Sequence, residues 1–149
     1  MKGPEINKTA KETFERLTQQ DYFNKVKQIE LKIYENKNGF NKALYWQCQD
    51  QLNFINGEIR IAYAELKALQ DTYTAVRKVE MLQNKKSIVV NGKLVSLSRE
   101  PGNDLLTEFV YSEITELVSV ITVVYHWLFR INEDILVCRN HTYGSSGLK

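Results

Sequence analysis

Residues 45–76 read YWQCQDQLNFINGEIRIAYAELKALQDTYTAV, with apolar side chains at alternating intervals of three and four residues. That spacing keeps an apolar seam on one face of an α-helix. Residues 110–138, VYSEITELVSVITVVYHWLFRINEDILVC, repeat the pattern. Two helices with such seams are expected to pack against each other. The seam positions are Tyr45, Cys48, Leu52, Ile55, Ile59, Ala62, Leu66, Leu69, Tyr73 and Val76, then Val110, Ile114, Leu117, Ile121, Val124, Leu128, Ile131, Ile135 and Cys138.

A β-hairpin is predicted between the two seam helices, over residues 87–97. Asn91 and Gly92 separate two β-branched runs and suit the two positive φ angles of a type I′ turn. Both faces of this hairpin are partly apolar, and an isolated two-stranded hairpin is only marginally stable in water. We therefore expect it to lie on another surface. The cross-strand pairs are Val90 with Lys93, Val89 with Leu94 and Ile88 with Val95.

The chain is therefore predicted to be mainly α, as a three-helix antiparallel bundle or coiled coil with one β-hairpin inserted between helices 2 and 3. Its 149 residues fit a single helical domain. Asp21 is expected to cap the second part of helix 1. The predicted segments are an N-terminal arm (1–7), helix 1 (8–36, kinked near 18–21), helix 2 (41–84), the hairpin (87–97), helix 3 (104–139) and a flexible tail (140–149).

Two questions of packing stay open at the level of sequence. An antiparallel seam places Leu52 opposite either Ile131 or Cys138, one heptad apart. Helix 2 also carries a second apolar strip, which indicates a second neighbour, either helix 1 or another subunit. On helix 3, Val120, Tyr125, Trp127 and Phe129 add apolar surface outside the seam, so this helix is expected to be the most buried of the three. The strip on helix 2 consists of Phe54, Ile61, Ala68 and Ala75.

Composition favours a cytoplasmic or virion protein that is not secreted and has no membrane partner. The formal net charge is only +2, and two cysteines cannot form a disulfide framework. The first ten residues are polar, unlike a secretory signal, and the strongest apolar stretch, 117–129, is too short to span a bilayer. The preference for Lys and Asn over Arg and Ala suggests an AT-rich genome, as in many phages.

No motif for catalysis is present. Cys48 and Cys138 both fall on the apolar seams and are expected to be buried thiols. His126 and His141 have no ligand spacing with them, which argues against zinc. Glycine-rich phosphate loops and Ser-His-Asp signatures do not occur in the sequence. We therefore expect no enzyme activity, no catalytic, cofactor-binding or metal residues, no cofactor and no small-molecule substrate.

Charge is unevenly distributed, and this predicts an interaction surface at the hairpin. Residues 77–99 hold six basic side chains and one acid, whereas residues 100–138 hold seven acids and one base. Such opposite charge suits contact between copies or contact with a nucleic acid backbone. The predicted interaction residues are Arg77, Lys78, Lys85, Lys86, Ile88, Val89, Val90, Lys93, Leu94, Val95 and Arg99.

These features favour a non-catalytic, oligomer-forming structural or assembly protein, such as a connector or ring subunit of a phage or virus virion. The hairpin would be its docking element, and its partners would be further copies or a larger protein assembly. The basic hairpin end favours, as an alternative, a nucleic-acid-binding accessory factor in recombination or replication. An inhibitor of a host defence protein is a further alternative.

The order of elements over residues 41–140 resembles a known chaperone subunit. A long helix, a β-hairpin and a long antiparallel helix are also the topology of a β-type prefoldin subunit. In that family the hairpins assemble a hexameric chaperone, so the resemblance implies a prefoldin-like chaperone subunit. The likeness is one of topology, and fold alone does not establish function.

Overall fold

The computed structural model describes residues 2–39, 41–84, 87–90, 92–96 and 103–144. These residues are mostly helical, which confirms the prediction of a mainly α chain. Internal contacts divide the chain into two compact units. Unit 1 comprises residues 1–12 and 64–121, and unit 2 comprises residues 13–63 and 122–149. The elements are α1 (Gly3–Gln19), α2 (Tyr22–Glu35), α3 (Lys42–Asn84), β1 (Ser87–Val90), β2 (Lys93–Ser96), α4 (Asn103–Glu113), α5 (Thr115–Arg139) and a π-helical turn (Asn140–Gly144).

The first helix begins at Gly3, so residues 3–7 are helical rather than an arm. Pro4 is compatible with this early start because the first turn of a helix does not use its N–H groups internally. The Lys2 carbonyl accepts the first intrahelical bond, from the N–H of Ile6 at 3.1 Å. Burial of Ile6 and Ala10 then anchors the segment, and these side chains begin a run of buried positions three and four residues apart: Gly3, Ile6, Ala10, Thr13 and Leu17.

The chain breaks between α1 and α2 at Gln20 and Asp21. Asp21 adopts a left-handed conformation (φ 61°) and occupies the N-cap position of α2 without a side-chain bond to the helix backbone. Its carboxylate instead accepts a bond from the Asn24 side chain at 2.8 Å. The expected side-chain cap is therefore wrong, because capping geometry requires an extended backbone at that residue.

In unit 1, β1 and β2 pair antiparallel in the register that a two-residue connection sets. Gly92 has φ +78°, a left-handed angle that glycine adopts without strain. Strand β1 lies against α4. The cross-strand pairs are Ser87 with Ser96, Ile88 with Val95, Val89 with Leu94 and Val90 with Lys93.

The sequence predicts one helix over 104–139, but the structure breaks it at Ile114 into α4 and α5. The two helices are bent by 97° at this point. Val110, Ile114 and Leu117 are all buried, so the seam spacing continues across the break. A spacing of three and four residues does not show whether the helix bends between the buried positions, and the sequence therefore predicts one straight helix. Within the described residues no single helix is long and apolar enough to cross a membrane, although α4 and α5 taken together as a bent pair reach that length and composition.

Asn7 of α1 satisfies backbone groups on both sides of this break. Its side-chain Nδ2 donates to the Glu113 carbonyl at 3.2 Å, and its Oδ1 accepts from the Leu117 N–H at 3.3 Å. Glu113 is the last residue of α4 and Leu117 lies in the first turn of α5, where backbone groups have no intrahelical partner. One side chain from another helix therefore caps two helix ends.

Most seam positions form the core of their units. On α3, Leu52, Ile59 and Leu66 have no exposed surface, and on α5 the same is true of Leu117 and Val124. Leu69 and Ile135 are half-buried, and Val76 is exposed, so the seam prediction fails toward the end of α3.

The segment after α5 is ordered into a π-helical turn at residues 140–144, in place of the expected tail. Thr142 is buried, and its hydroxyl donates to the Cys138 carbonyl at 3.1 Å. The His141 ring stacks on Tyr45 at 4.4 Å with an interplanar angle of 5°. The polar residues of this segment suggest an exposed tail. His141 and Thr142 instead hold it in place through stacking and burial, which the sequence does not indicate. Residues 145–149 lie outside the described residues.

Replacement of Asn7 by Leu is expected to lower the free energy of unfolding by about 1–2 kcal/mol, because two capping bonds are lost together. Asn7→Asp keeps the acceptor for Leu117 and loses the donor to Glu113, so it is expected to lose part of that amount. Urea denaturation measures both. Lys11→Ala, at an exposed position of the same helix, is the control, and an Asn7→Leu midpoint equal to that of the control would contradict the capping role.

Candidate interaction surfaces

The hairpin presents an exposed apolar pair on one face. Val89 and Leu94 lie opposite each other across the strands and are 57% and 74% exposed. Lys93 is exposed beside them. Two large apolar side chains so little covered do not belong to the core of the described residues, and exposed apolar patches are typical of interaction sites. Other predicted interaction residues fall outside the described part of the chain: all of Lys85, Lys86 and Arg99, and the side chains of Ile88, Val90 and Val95.

Arg77 does not belong to a basic surface, contrary to the sequence prediction. Its guanidinium donates from Nε to Glu113 Oε1 at 2.7 Å and from Nη2 to Glu113 Oε2 at 3.0 Å. The Tyr73 hydroxyl donates to the same carboxylate at 3.2 Å. The two charged side chains are only 16% and 26% exposed. A two-point ion pair of this kind is geometrically specific, and it takes Arg77 out of reach of a nucleic acid backbone.

The other residues of the predicted basic surface also give it little exposed charge within the described part of the chain. Lys78 is half-buried, and among the predicted basic residues that the structure describes, Lys93 is the exposed one. A count of charges along the sequence does not show that Glu113, 36 residues away, forms an ion pair with Arg77. Charge partners so distant carry no sequence signal.

A groove of about 950 Å³ opens in unit 1 between the start of α1 and α3. Ile6, Leu69 and Val76 form its apolar lining, which explains why Val76 is exposed despite its seam position. Lys2, Glu65 and Glu80 add charges of both signs. Gly3 belongs to this lining, and a Cβ added there would lie 2.9 Å from the Glu113 carbonyl oxygen. The close approach of α1 to the break at Ile114 therefore requires glycine.

The second apolar strip of α3 is exposed along its length. Phe54 and Ile61 are 64% and 58% exposed, and Ala68 and Ala75 are exposed as well. The sequence left open whether helix 1 or another subunit covers this strip. Among the described residues, neither α1 nor α2 buries any of its four side chains.

In unit 2, a cluster of charged groups joins α2 to α5. Glu30 accepts from Arg130 Nε at 2.6 Å and also binds Arg130 Nη2. The Arg130 guanidinium lies 4.9 Å from the ring centre of Trp127, a cation–π contact. Burial, together with a hydrogen bond to Glu30 and its charge, raises the pKa of Asp134 to about 8. Asp134 is therefore largely protonated at neutral pH while Glu30, held by Arg130, stays ionised.

Both cysteines are buried and free. Burial raises the pKa of the Cys138 thiol to about 12, with a further contribution from Cys48, and burial also raises the pKa of Cys48. Thiols so far from ionisation at neutral pH are poor nucleophiles and poor metal ligands. His126 is exposed. Within the described ranges, no group of three or more His, Cys, Asp or Glu side chains is placed to hold a metal ion.

Comparison of the chain with protein-family models, with curated proteins and with solved structures found no match.

Arg77→Met is expected to lower the free energy of unfolding by about 2–3 kcal/mol, because it leaves the Glu113 carboxylate partly buried without its partner. The double variant Arg77→Met, Glu113→Gln is expected to recover part of the loss. Urea denaturation of the two single variants and the double variant gives the coupling energy. The control is Lys8→Met, which removes an exposed pair with Glu12 and is expected to change stability by less than about 0.5 kcal/mol. Additive single losses would contradict the coupling.

Stability is expected to fall as pH rises from about 4 to about 8, because Asp134 binds its proton more tightly in the folded state than at its ordinary pKa of 3.8. The contribution is complete below that ordinary value and is lost as pH rises through about 8. The other charges that act on this carboxyl are Glu30 of α2 and Arg130 and Glu133 of α5. Lys27 acts on Glu30.

The variant Asp134→Asn should remove this pH dependence. It is expected to be more stable than the wild type at about pH 8 by about 1 kcal/mol, an amount reduced by solvent screening of a half-buried group. Denaturation midpoints at about pH 5 and pH 8 measure the effect. Glu116→Gln, at an exposed position near the start of the same helix, should keep the wild-type slope. If stability depends on pH in Asp134→Asn as it does in the wild type, the Asp134 carboxyl is not the source of that dependence.

Proposed function

We propose that this protein is a non-catalytic assembly protein that associates with further copies of itself through apolar surfaces on its helices and its β-hairpin. The observation that carries the proposal is the exposed α3 strip. Large apolar side chains at 64% and 58% exposure, repeated at seven-residue intervals on one helix face, are typical of a surface that another helix covers.

The underlying architecture that we propose is an antiparallel helical bundle with an inserted hairpin. In unit 2, Tyr45 of α3 stacks on His141, and Tyr63, further along α3, lies 6.3 Å from Tyr125, earlier in α5. Contacts that advance along one helix while receding along the other support an antiparallel pair. The hairpin's Val89 and Leu94 would provide a second docking surface.

A protein partner is favoured over a nucleic acid. Arg77 is engaged by Glu113, so the basic cluster loses one of its members, whereas the apolar side chains Val89 and Leu94 remain exposed. Phosphate binding depends on accessible basic side chains, and apolar surface contributes nothing to it.

The double variant Phe54→Lys, Ile61→Glu is expected to reduce self-association without a change in net charge. Light scattering at about 100 µM should give the wild type an average mass above that of the 17.4 kDa monomer and give the variant a lower mass. Removing two large anchors from a helix contact should weaken it at least tenfold.

The matched control is Gln51→Glu, Asn53→Lys, at exposed polar positions of the same helix, which should keep the wild-type mass. The hairpin variant Val89→Lys, Leu94→Glu tests the second surface in the same assay. A wild type that remains monomeric would overturn the proposal.

A further inference from the structure

Helix α5 carries a second three-four stripe outside the core. It is displaced by one residue from the seam positions Ile121, Val124, Leu128 and Ile131, and it stays on one helix face over about 21 Å. Tyr125, Phe129 and Leu136 are 53%, 57% and 50% exposed. The stripe residues are Thr122, Tyr125, Phe129, Asn132 and Leu136, all exposed.

Within the described part of unit 2, the neighbour of this stripe is Tyr63 of α3, whose ring lies 6.3 Å from that of Tyr125. Tyr63 is half-buried and extends the apolar surface beyond α5. The stripe thus has the spacing of a helix contact without a helix covering it.

We propose that this stripe binds the α5 helix of a second copy, antiparallel, in a two-fold symmetric dimer. This inference rests on the proposed self-association and names one of its surfaces. A two-fold interface uses the same patch on both copies, so the stripe must be complementary to itself.

Self-complementarity selects one register. In an antiparallel seam, a positions face d positions, which places Tyr125 opposite Phe129 and Thr122 opposite Asn132 of the second copy, each pair occurring twice. Aromatic rings then meet aromatic rings, and the amide of Asn132 can bond the Thr122 hydroxyl. Shifting the register by one heptad in one direction would place Asn132 opposite Phe129, where it loses a hydrogen-bonding partner on burial. Shifting it in the other direction would place Tyr125 opposite Thr122 and Phe129 opposite Val118, and the aromatic pairs would be lost. A polar residue within a seam commonly fixes register in this way.

Charge is compatible with self-pairing in this register. None of the five stripe residues is charged. The two Glu133 side chains, which flank the stripe, lie twelve residues apart along the contact, about 18 Å. The two Glu133 carboxylates therefore do not face each other across the interface.

The size of the stripe sets the strength of the contact. A fully buried aromatic side chain contributes about 150–250 Å², and Tyr125 and Phe129 have roughly half of that surface left to bury. With Leu136 and Tyr63, the contact amounts to a few hundred Å² per copy, less than the ~800 Å² of a standard interface. We therefore expect a weak dimer, with a Kd on the order of 100 µM.

The test uses the Phe54→Lys, Ile61→Glu protein as background, so that association through α3 does not obscure association through α5. Sedimentation equilibrium at about 20 and about 400 µM should show a dimer at the higher concentration. Adding Phe129→Lys should weaken it at least tenfold. Val137→Lys makes the same change on another face of α5, at a 40% exposed position, and should leave the dimer intact. Circular dichroism confirms that each variant is folded.

Cysteine cross-linking tests the antiparallel register. Thr122→Cys and Asn132→Cys proteins, mixed and oxidised by air, should form a mixed disulfide, whereas neither should cross-link when alone. The native Cys48 and Cys138 are buried, and the unsubstituted protein is the control for them. Cross-linking of either single variant alone would overturn the antiparallel arrangement.

Failure of this inference differs from failure of the proposed function. A dimer unaffected by Phe129→Lys, or a background protein that stays monomeric while the wild type assembles, overturns the α5 interface and leaves assembly through α3 intact. A wild type that stays monomeric at about 400 µM overturns both.

Discussion

Unit 1 has to provide hydrogen-bond partners for the backbone N–H and C=O groups that have no intrahelical partner where α4 ends and α5 begins. A helix that stops inside an apolar core leaves N–H and C=O groups without partners, and such groups are costly to bury. Asn7 supplies a donor and an acceptor to the two helix ends, and Gly3 allows the backbone of α1 to approach them. The ion pair between Arg77 and Glu113 then connects the same point to α3. One residue, Glu113, thus receives contacts through both its carbonyl and its carboxylate.

This arrangement explains why some features could be read from the sequence and others could not. The buried positions of α3 and α5 follow from their spacing, because burial repeats with the helical period. The hairpin register follows from a two-residue loop, a local feature. The break at Ile114 depends on Asn7, more than a hundred residues away, and no local pattern reports a partner at that distance. The early start of α1 was missed because its buried positions include Gly3, Ala10 and Thr13, which a search for large apolar residues overlooks.

The candidate surfaces, too, are only partly predictable from the sequence. Phe54 and Ile61 could be identified as a second strip from sequence, yet only their exposure shows that helix 1 does not cover them. A count of charges along a chain treats each side chain as exposed, but Arg77 is only 16% exposed because it pairs with Glu113. Because this ion pair holds Arg77, the hairpin end has less accessible positive charge than its sequence suggests, while its apolar side chains Val89 and Leu94 remain exposed.

Glu30, Arg130 and Asp134 show how an ion pair between two helices can shift the pKa of a neighbouring carboxyl. Arg130 fixes the charge on Glu30, and that charge together with burial keeps the proton on Asp134. A strongly shifted carboxyl is often taken as a sign of catalysis. Its immediate partners here are a guanidinium and a second carboxyl that bind each other and link α2 to α5. Burial between helices and the charge on Glu30 are therefore sufficient to explain the raised pKa of Asp134.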